Sequence, residues 1–362
     1  MTVITSQIRP NAKAGGAREW LRKSFFGNWF DACLSIVLLF ISLKLGWSFL
    51  QWALLNAVWT PNAPELCGAG GACWSVISTR WRLIFFGLYP ADEQWRAALA
   101  CLIIVAAVVM TCIPRFFTLK GILMIWGVSF PSFLLLMGGG YFGLSPVPTE
   151  RWSGLPLTLY IYASTILLGM PSAILIALGR RSPYPAIRII LGLVVDLVRS
   201  LPLLTILFSF SLVIPLFLPA QLTFDKVYRV IIGFTLFFAC YQSEVIRGGL
   251  QSVASGQEEA ARALGLNYFQ RMGHVVLPQA LRNTMPMTIN QFVVTFKDTS
   301  FIVVVGLFEL LAAAKSAYGV PEWSAYSKEV YVFIALIYFV FSYSMSKYGK
   351  YLELKMKASS AR

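Results

Sequence analysis

The sequence contains 362 residues, of which 57% are hydrophobic and 13% charged, and its formal net charge is +14. Soluble domains carry about 25% charged residues, so this composition excludes an ordinary soluble enzyme. The apolar residues form continuous runs of about 20, the length that a helix needs to cross a bilayer, and not the short alternating segments of a β-barrel. The sequence therefore predicts an all-α polytopic membrane protein.

Eight apolar runs are long enough to be transmembrane helices. Their approximate bounds are 31–53, 97–113, 121–143, 154–178, 193–218, 228–247, 288–312 and 329–347. Pro202 interrupts the fifth run, which leaves room there for a separate helix at the membrane interface. Pro131 and Pro171 lie inside the third and fourth runs, where neighbouring helices can compensate for a break in the backbone pairing.

The basic residues indicate the orientation of these spans. Nineteen Lys and Arg residues lie in the segments assigned to one side and eight in those assigned to the other. Because cytoplasmic loops are enriched in Lys and Arg, both termini and the loop at about 248–287 are predicted to be cytoplasmic. Residues 1–30 then form a cytoplasmic segment and residues 351–362 a cytoplasmic tail, and the net charge needs no nucleic-acid partner.

The only sizeable outside loop, at about 54–96, contains Cys67 and Cys73 on either side of a glycine-rich stretch. An oxidising compartment permits a disulfide there, and the spacing leaves both a disulfide and two free thiols open. The remaining four cysteines fall in spans, where they act as small apolar residues. No second pair of ligands is available for zinc, and the single His274 has no catalytic neighbours, so neither a metal site nor a catalytic site is predicted.

The polar segment at 248–287 reads as two short helices joined by a tight turn. Ser255 and Glu258 have the spacing of a capping box that opens the first helix. Gly265 is placed to end it in a left-handed conformation. Asn267 can cap the second helix, and Pro278 is expected to end it.

This segment also carries a recognisable pattern. Glu259-Ala260-Ala261, Gly265 and Leu277-Pro278 follow E-A-A-x3-G-x9-I-x-L-P, with Val275 in place of Ile. The pattern resembles the EAA loop of the membrane subunits of bacterial ABC importers. The resemblance implies that Glu258, Glu259 and the other residues of this loop contact a separate ATPase.

The resemblance extends to the flanking residues and to a narrower family. Tyr241-Gln242-Ser243-Glu244-Val245-Ile246-Arg247-Gly248-Gly249-Leu250 and Lys297-Asp298-Thr299-Ser300 are similar to runs in permeases for histidine, glutamine and arginine. Arg199-Ser200-Leu201-Pro202 departs from the R-G-T-P of that family. The resemblance implies a five-helix core at 154–350, preceded by three additional helices at 31–153. Those additional helices are most similar to the M-type permease of the general L-amino-acid uptake system.

The resemblance also implies the partners. The chain has no G-x-x-x-x-G-K-[ST] phosphate loop, so ATP-Mg is expected on a separate ATPase dimer, and this chain is expected to bind no cofactor and to be no enzyme. The other implied partners are a second homologous permease in a heterodimer, a periplasmic amino-acid-binding protein and the L-amino acid itself. The implied location is the bacterial inner membrane. An ion-coupled secondary transporter and a membrane-embedded enzyme are the alternatives.

Several charged or polar residues lie within or beside the spans, where charges are costly and usually paired or functional. Asp196 with Arg199, and Glu244 with Arg247, are three residues apart and can each form an ion pair on one helix face. Lys297, Asp298, Thr299 and Ser300 are candidates either for the translocation path or for ion pairs between helices. The two readings of this second group stay open at the level of the sequence.

Overall fold

The computed structural model describes residues 25–68 and 70–360. Most of the predicted cytoplasmic segment 1–30 and the last two residues of the predicted tail 351–362 lie outside these ranges. Apart from two isolated bridges, Val58 with Cys73 and Gly154 with Glu309, every regular element in the described ranges is helical. The prediction of an all-α protein is confirmed.

The helices follow one another along the chain with short connections. In chain order they are α1 Trp29–Leu50, α2 Ser75–Phe86, α3 Gln94–Cys112, α4 Leu119–Gly138, α5 Gly154–Gly179, α6 Pro185–Ser200, α7 Leu203–Phe208, α8 Ile214–Phe217, α9 Lys226–Ser252, α10 Ser255–Ala263, α11 Tyr268–Gln270, α12 Leu277–Asn283, α13 Met285–Asp298, α14 Leu310–Ala317 and α15 Ser327–Ser360.

Six helical segments in the described chain are long and apolar enough to cross a membrane, against the eight predicted. They are Trp29–Leu55, Ala91–Cys112, Leu119–Gly138, Gly154–Gly179, Lys226–Ser252 and Pro321–Met356. A seventh candidate is the pair formed by Pro185–Ser200 and Leu203–Phe217, which is bent by 106°. The bend falls at Pro202, as the sequence indicated, because proline cannot donate the backbone hydrogen bond that would continue the helix.

The predicted span at 288–312 is not one helix. After α13 the chain forms a 3-10 turn, Thr299–Val305, and Gly306 takes a left-handed conformation with φ of 77°. The Glu309 carboxylate then accepts hydrogen bonds from the backbone N–H groups of Leu311 and Ala312 and starts α14. A left-handed residue followed by a side-chain cap begins a new helix in a new direction, which a continuous apolar run does not reveal.

Pro131 and Pro171 lie inside α4 and α5 without ending them, as the sequence allowed. The helix α4 ends instead at Gly139, whose φ of 65° lies outside the helical range. A proline inside a span removes one hydrogen bond, and packing against neighbouring helices compensates for that loss.

The chain divides into two compact units, with the boundary between Ser75 and Val76. In the first unit, Cys67 and Cys73 form a disulfide with a Cα–Cα distance of 5.4 Å. The indole N–H of the neighbouring Trp74 donates to the backbone oxygen of Ala53 at 2.7 Å. The ring of Trp74 also stacks on Trp59, with centroids 5.7 Å apart. These contacts close the segment after α1 into a small folded loop.

The disulfide gives a direct prediction for protein prepared without reductant. We expect non-reduced digests to contain one peptide pair linked through Cys67 and Cys73, because the structure holds the two residues in bonding distance. Cys33 is a free and exposed cysteine and serves as the internal control for alkylation under denaturing conditions. Recovery of Cys67 and Cys73 as alkylated thiols alongside Cys33 would contradict the bond.

The second unit is built around the pairing of α5 with α9. A Cβ atom added to Gly169 in α5 would lie 2.4 Å from the Phe238 ring of α9, so glycine permits the close approach of the two helices. On α5, Tyr160 stacks on Phe133 of α4 with centroids 5.7 Å apart. The α3 and α4 pair thus shares the apolar core with α5 and α9. The predicted division into 31–153 and 154–350 stays a prediction.

Candidate coupling site

The first helix of the predicted coupling loop is α10. It begins at Ser255 after the N-cap residue Ala254, and no side chain caps it. The predicted capping box of Ser255 and Glu258 is therefore wrong, since Ser255 already lies inside the helix. Ala261 is buried and anchors α10, whereas Glu259 and Ala260 are exposed. Apart from Ala261, every residue of α10 is exposed or half-buried.

Gly265 ends α10 as the sequence predicted. Its φ is 77°, in the left-handed region. Its N–H donates to the oxygen of Arg262 at 2.9 Å, and the N–H of Leu266 donates to the oxygen of Ala261 at 3.2 Å. This pair of bonds is the Schellman arrangement, which glycine adopts without the steric cost of a Cβ. The turn fixes the angle between α10 and the next helix.

Asn267 caps that next helix, as predicted. Its side-chain oxygen accepts from the N–H of Gln270 at 2.9 Å, and the Gln270 side chain accepts from the N–H of Asn267 at 3.0 Å. Pro278, however, does not end the helix. The chain passes through a π-helical segment, Arg271–Val276, and Pro278 then lies in the first turn of α12. Proline is tolerated there because a first-turn N–H needs no partner within the helix.

The part of the loop after the Gly265 turn, which we call the second limb, is attached to the bundle by apolar contacts. Met272, Val276 and Ala280 are buried in a cluster with residues of α5 and α9, and Leu277 packs against it. By contrast, Leu264 is 81% exposed and Phe269 is 83% exposed. Large apolar side chains exposed next to a conformationally fixed turn are typical of a contact surface for another protein.

Glu244 on α9 is the centre of a charged group that we call the Glu244 cluster, formed with Arg180, Arg199 and Arg247. Arg247 Nη2 lies 2.7 Å from Glu244 Oε2, which confirms the predicted pair. Arg180, at the end of α5, also forms an ion pair with Glu244, and Arg199 Nη1 lies 3.7 Å from it. One carboxylate, 16% exposed, therefore serves three guanidinium groups from α5, α6 and α9.

The predicted pairing of Asp196 with Arg199 is wrong in the described chain. Arg199 instead points to Glu244, and its guanidinium lies over the Tyr241 ring, 5.4 Å from the centroid. Asp196 is exposed on α6. Arg199 contacts both the Glu244 carboxylate and the Tyr241 ring on α9. Asp196, on the same helix as Arg199, offers it only a carboxylate.

A second ion pair connects the bundle to the coupling helix. Arg181 Nη2 lies 3.2 Å from Glu258 Oε2 on α10, and the two side chains are 34% and 27% exposed. Beside this pair is a cavity of about 290 Å³. It is lined on the bundle side by Arg180, Arg181 and Arg247, and on the coupling-helix side by Ser255 and Glu258.

The second group of sequence candidates lies at the end of α13. Lys297 is exposed and Asp298 is half-buried, and neither forms an ion pair within the described ranges. Thr299 is buried and its hydroxyl donates to the oxygen of Phe296 at 2.7 Å, while the Ser300 hydroxyl donates to the oxygen of Lys297 at 2.9 Å. The two hydroxyls thus bond to carbonyl groups at the end of α13.

The coupling loop and the bundle helices around it lie within a recognised family region. Residues 165–358 match the family described as the binding-protein-dependent transport system inner membrane component. The chain belongs to that family. It is a membrane permease of the ABC-importer type, and nothing in the comparisons supports an ion-coupled secondary transporter.

Full-length relatives of the permease are known. It is 40% identical over 342 residues to the inner membrane amino-acid ABC transporter permease protein YhdY of Escherichia coli (strain K12), covering 93% of this chain and 92% of the relative. It is 32% identical to the glutamate/glutamine/aspartate/asparagine transport system permease protein BztC of Rhodobacter capsulatus, covering 94% of both chains. Both relatives also span the region of the additional N-terminal helices.

One solved structure shares the fold of the permease core. It is described as the crystal structure of an amino acid ABC transporter with histidines. The likeness has a TM-score of 0.50 at 29% identity and covers 56% of the permease and 92% of that chain. The shared part is therefore about half of the permease.

Sequence reasoning did not find Arg180 and Arg181 as site residues. They were counted only among the basic residues that set the orientation, because arginines after a span are common in cytoplasmic loops. Their roles depend on partners 64 and 77 residues away in the chain. The residues described contain no group of three or more His, Cys, Asp or Glu side chains that could hold a metal ion.

For Lys297 we expect that the Lys297→Ala permease assembles normally and transports less. Uptake per assembled complex should fall about tenfold, the loss that corresponds to one charge-assisted hydrogen bond. Lys120→Ala is the matched control, since Lys120 is also exposed and lies in the first turn of α4. Unchanged uptake per complex in Lys297→Ala would remove Lys297 from the translocation path.

Proposed function

We propose that the permease carries L-amino acids across the bacterial inner membrane as a subunit of an ATP-driven importer. The observation that carries the proposal is the coupling loop, in which the Gly265 turn is fixed while Glu259, Leu264 and Phe269 are exposed. Such a surface suits the docking of a separate ATPase dimer that binds ATP-Mg. The names of the full-length relatives support amino acids as the substrate class.

The remaining subunits follow from the same proposal. A second homologous permease completes the pore in a heterodimer, and a periplasmic binding protein delivers the amino acid. Both termini and the coupling loop lie on the cytoplasmic side, and the loop with the disulfide lies outside. This chain binds no cofactor of its own. Closure of the ATPases moves the coupling loops, and the bundle then opens the path for the released amino acid.

The test is purification of the complex from the native membrane and reconstitution in liposomes. We expect an ATPase, a second permease and a binding protein to be recovered, and uptake of labelled L-amino acids to require enclosed ATP and external binding protein. A non-hydrolysable ATP analogue is the control. Uptake driven by a proton or sodium gradient without ATP would contradict the proposal.

A further inference from the structure

Arg180 and Arg181 occupy the junction between a long span and the coupling loop. Arg180 is the C-cap residue of α5, and Arg181 follows it at the start of the connection to α6. Adjacent residues at a helix end point in different directions. The two guanidinium groups accordingly reach two different helices, Arg180 towards α9 and Arg181 towards α10.

The ion pair between Arg180 and Glu244 is largely shielded from water. Arg180 and Glu244 are each only 16% exposed, and Glu244 also accepts a bifurcated hydrogen bond from the Arg247 Nε–H and a second bond from Arg247 Nη2. Charge-assisted bonds that are shielded from water are short and strong. The end of α5 is thereby fixed to α9, the helix that runs directly into the coupling loop.

The ion pair between Arg181 and Glu258 is more exposed than the pair between Arg180 and Glu244. Its N–O distance is 3.2 Å. Ion pairs with this degree of exposure contribute little free energy and can be broken and remade. The Arg181–Glu258 pair can therefore break and re-form during a transport cycle.

A cavity lies beside the Arg181–Glu258 pair. The space of about 290 Å³ is lined by Arg180, Arg181 and Arg247 of the bundle and by Ser255 and Glu258 of the coupling helix. It leaves room beside the first turn of α10, so this end of the helix can shift relative to α5 while the buried Ala261 anchors the helix.

We infer that Arg180 and Arg181 form a two-armed joint that positions the coupling helix relative to α5, with Arg180–Glu244 as the fixed arm and Arg181–Glu258 as the releasable arm. Movement of α10 reaches the end of α5 through Arg181 and is passed to α9 through Arg180. Arg181 and Glu258 are positioning residues, and they do not contact the transported molecule in this role. The inference rests on the proposed function, because it concerns how the coupling loop acts.

The test is charge reversal across the releasable arm in the complete reconstituted importer. Arg181→Glu and Glu258→Arg, each alone, place like charges opposite each other, and we expect uptake per ATP hydrolysed to fall about two- to fivefold, the range that an exposed ion pair supports. The double variant restores opposite charges and should recover most of the wild-type ratio. The amount of intact complex should be the same in all variants.

Arg188→Gln is the matched control, because Arg188 is an exposed arginine in the first turn of α6 and forms no ion pair within the described chain. It should keep the wild-type ratio of uptake to ATP hydrolysis. The joint is overturned if both single reversals keep that ratio, or if the double variant is no better than the worse single variant. Absence of ATP-dependent uptake by the wild-type complex would instead contradict the proposed function, so the two failures are distinguishable.

Discussion

Gly265→Val is expected to abolish most coupled uptake while the permease still inserts and assembles. Gly265 has φ of 77°, and a Cβ added there would meet no atom within 4 Å. The penalty therefore comes from the backbone conformation and not from steric crowding. An ordinary residue in the left-handed region costs about 1–2 kcal/mol, and a β-branched residue such as valine costs more. The Schellman turn would reopen, and α10 would lose its fixed angle.

The measurement is stimulation of ATP hydrolysis by loaded binding protein, together with uptake in liposomes. Gly273→Val is the matched control. Gly273 lies in the second limb, its added Cβ would also meet nothing within 4 Å, and its φ is not positive. We expect Gly273→Val to keep most of the uptake. Wild-type stimulation and uptake in Gly265→Val would show that the turn is not part of the coupling element.

Glu244→Ala is expected to have the largest effect on stability. The substitution removes the one carboxylate that serves Arg180, Arg199 and Arg247. Breaking a fully buried pair costs about 3–5 kcal/mol, and because Glu244 is 16% exposed we expect a smaller loss of about 2–3 kcal/mol. The three guanidinium groups would then repel one another where the ends of α5, α6 and α9 meet.

The measurement is thermal unfolding of the purified complex in detergent, with the fraction of intact complex followed by size exclusion. Glu150→Ala is the control, since Glu150 is exposed in a short turn before α5. We expect the midpoint of Glu244→Ala to lie several degrees below that of Glu150→Ala. Equal midpoints would mean that the Glu244 cluster does not hold the three helices together.

The long helices and the coupling loop were predictable because their causes are local. A run of about 20 apolar residues favours a helix in a bilayer, since the backbone must satisfy its own hydrogen bonds there. The turn at Gly265 and the cap at Asn267 depend on atoms within a few residues. The Glu244–Arg247 pair was predictable for the same reason, as its members are three residues apart.

Two features of the helices were predicted wrongly. Pro278 was expected to end a helix, yet it lies in the first turn of α12. The apolar run at 288–312 was expected to be one helix, yet the Gly306 turn and the Glu309 cap divide it. Helix interruptions depend on packing that offers the backbone alternative partners, and a single sequence does not display that packing.

The sequence by itself determined that this protein is a bundle of membrane helices with a helix–turn–helix segment at 248–287, since hydropathy and short-range spacing specify both. The tertiary structure alone decided which charges meet. Arg199 turns to Glu244 and not to Asp196, and Arg180 and Arg181 reach carboxylates on two separate helices. Ion pairs depend on distance in space, and the packing of α5, α6, α9 and α10 brings residues that are far apart in the chain within a few ångströms of each other.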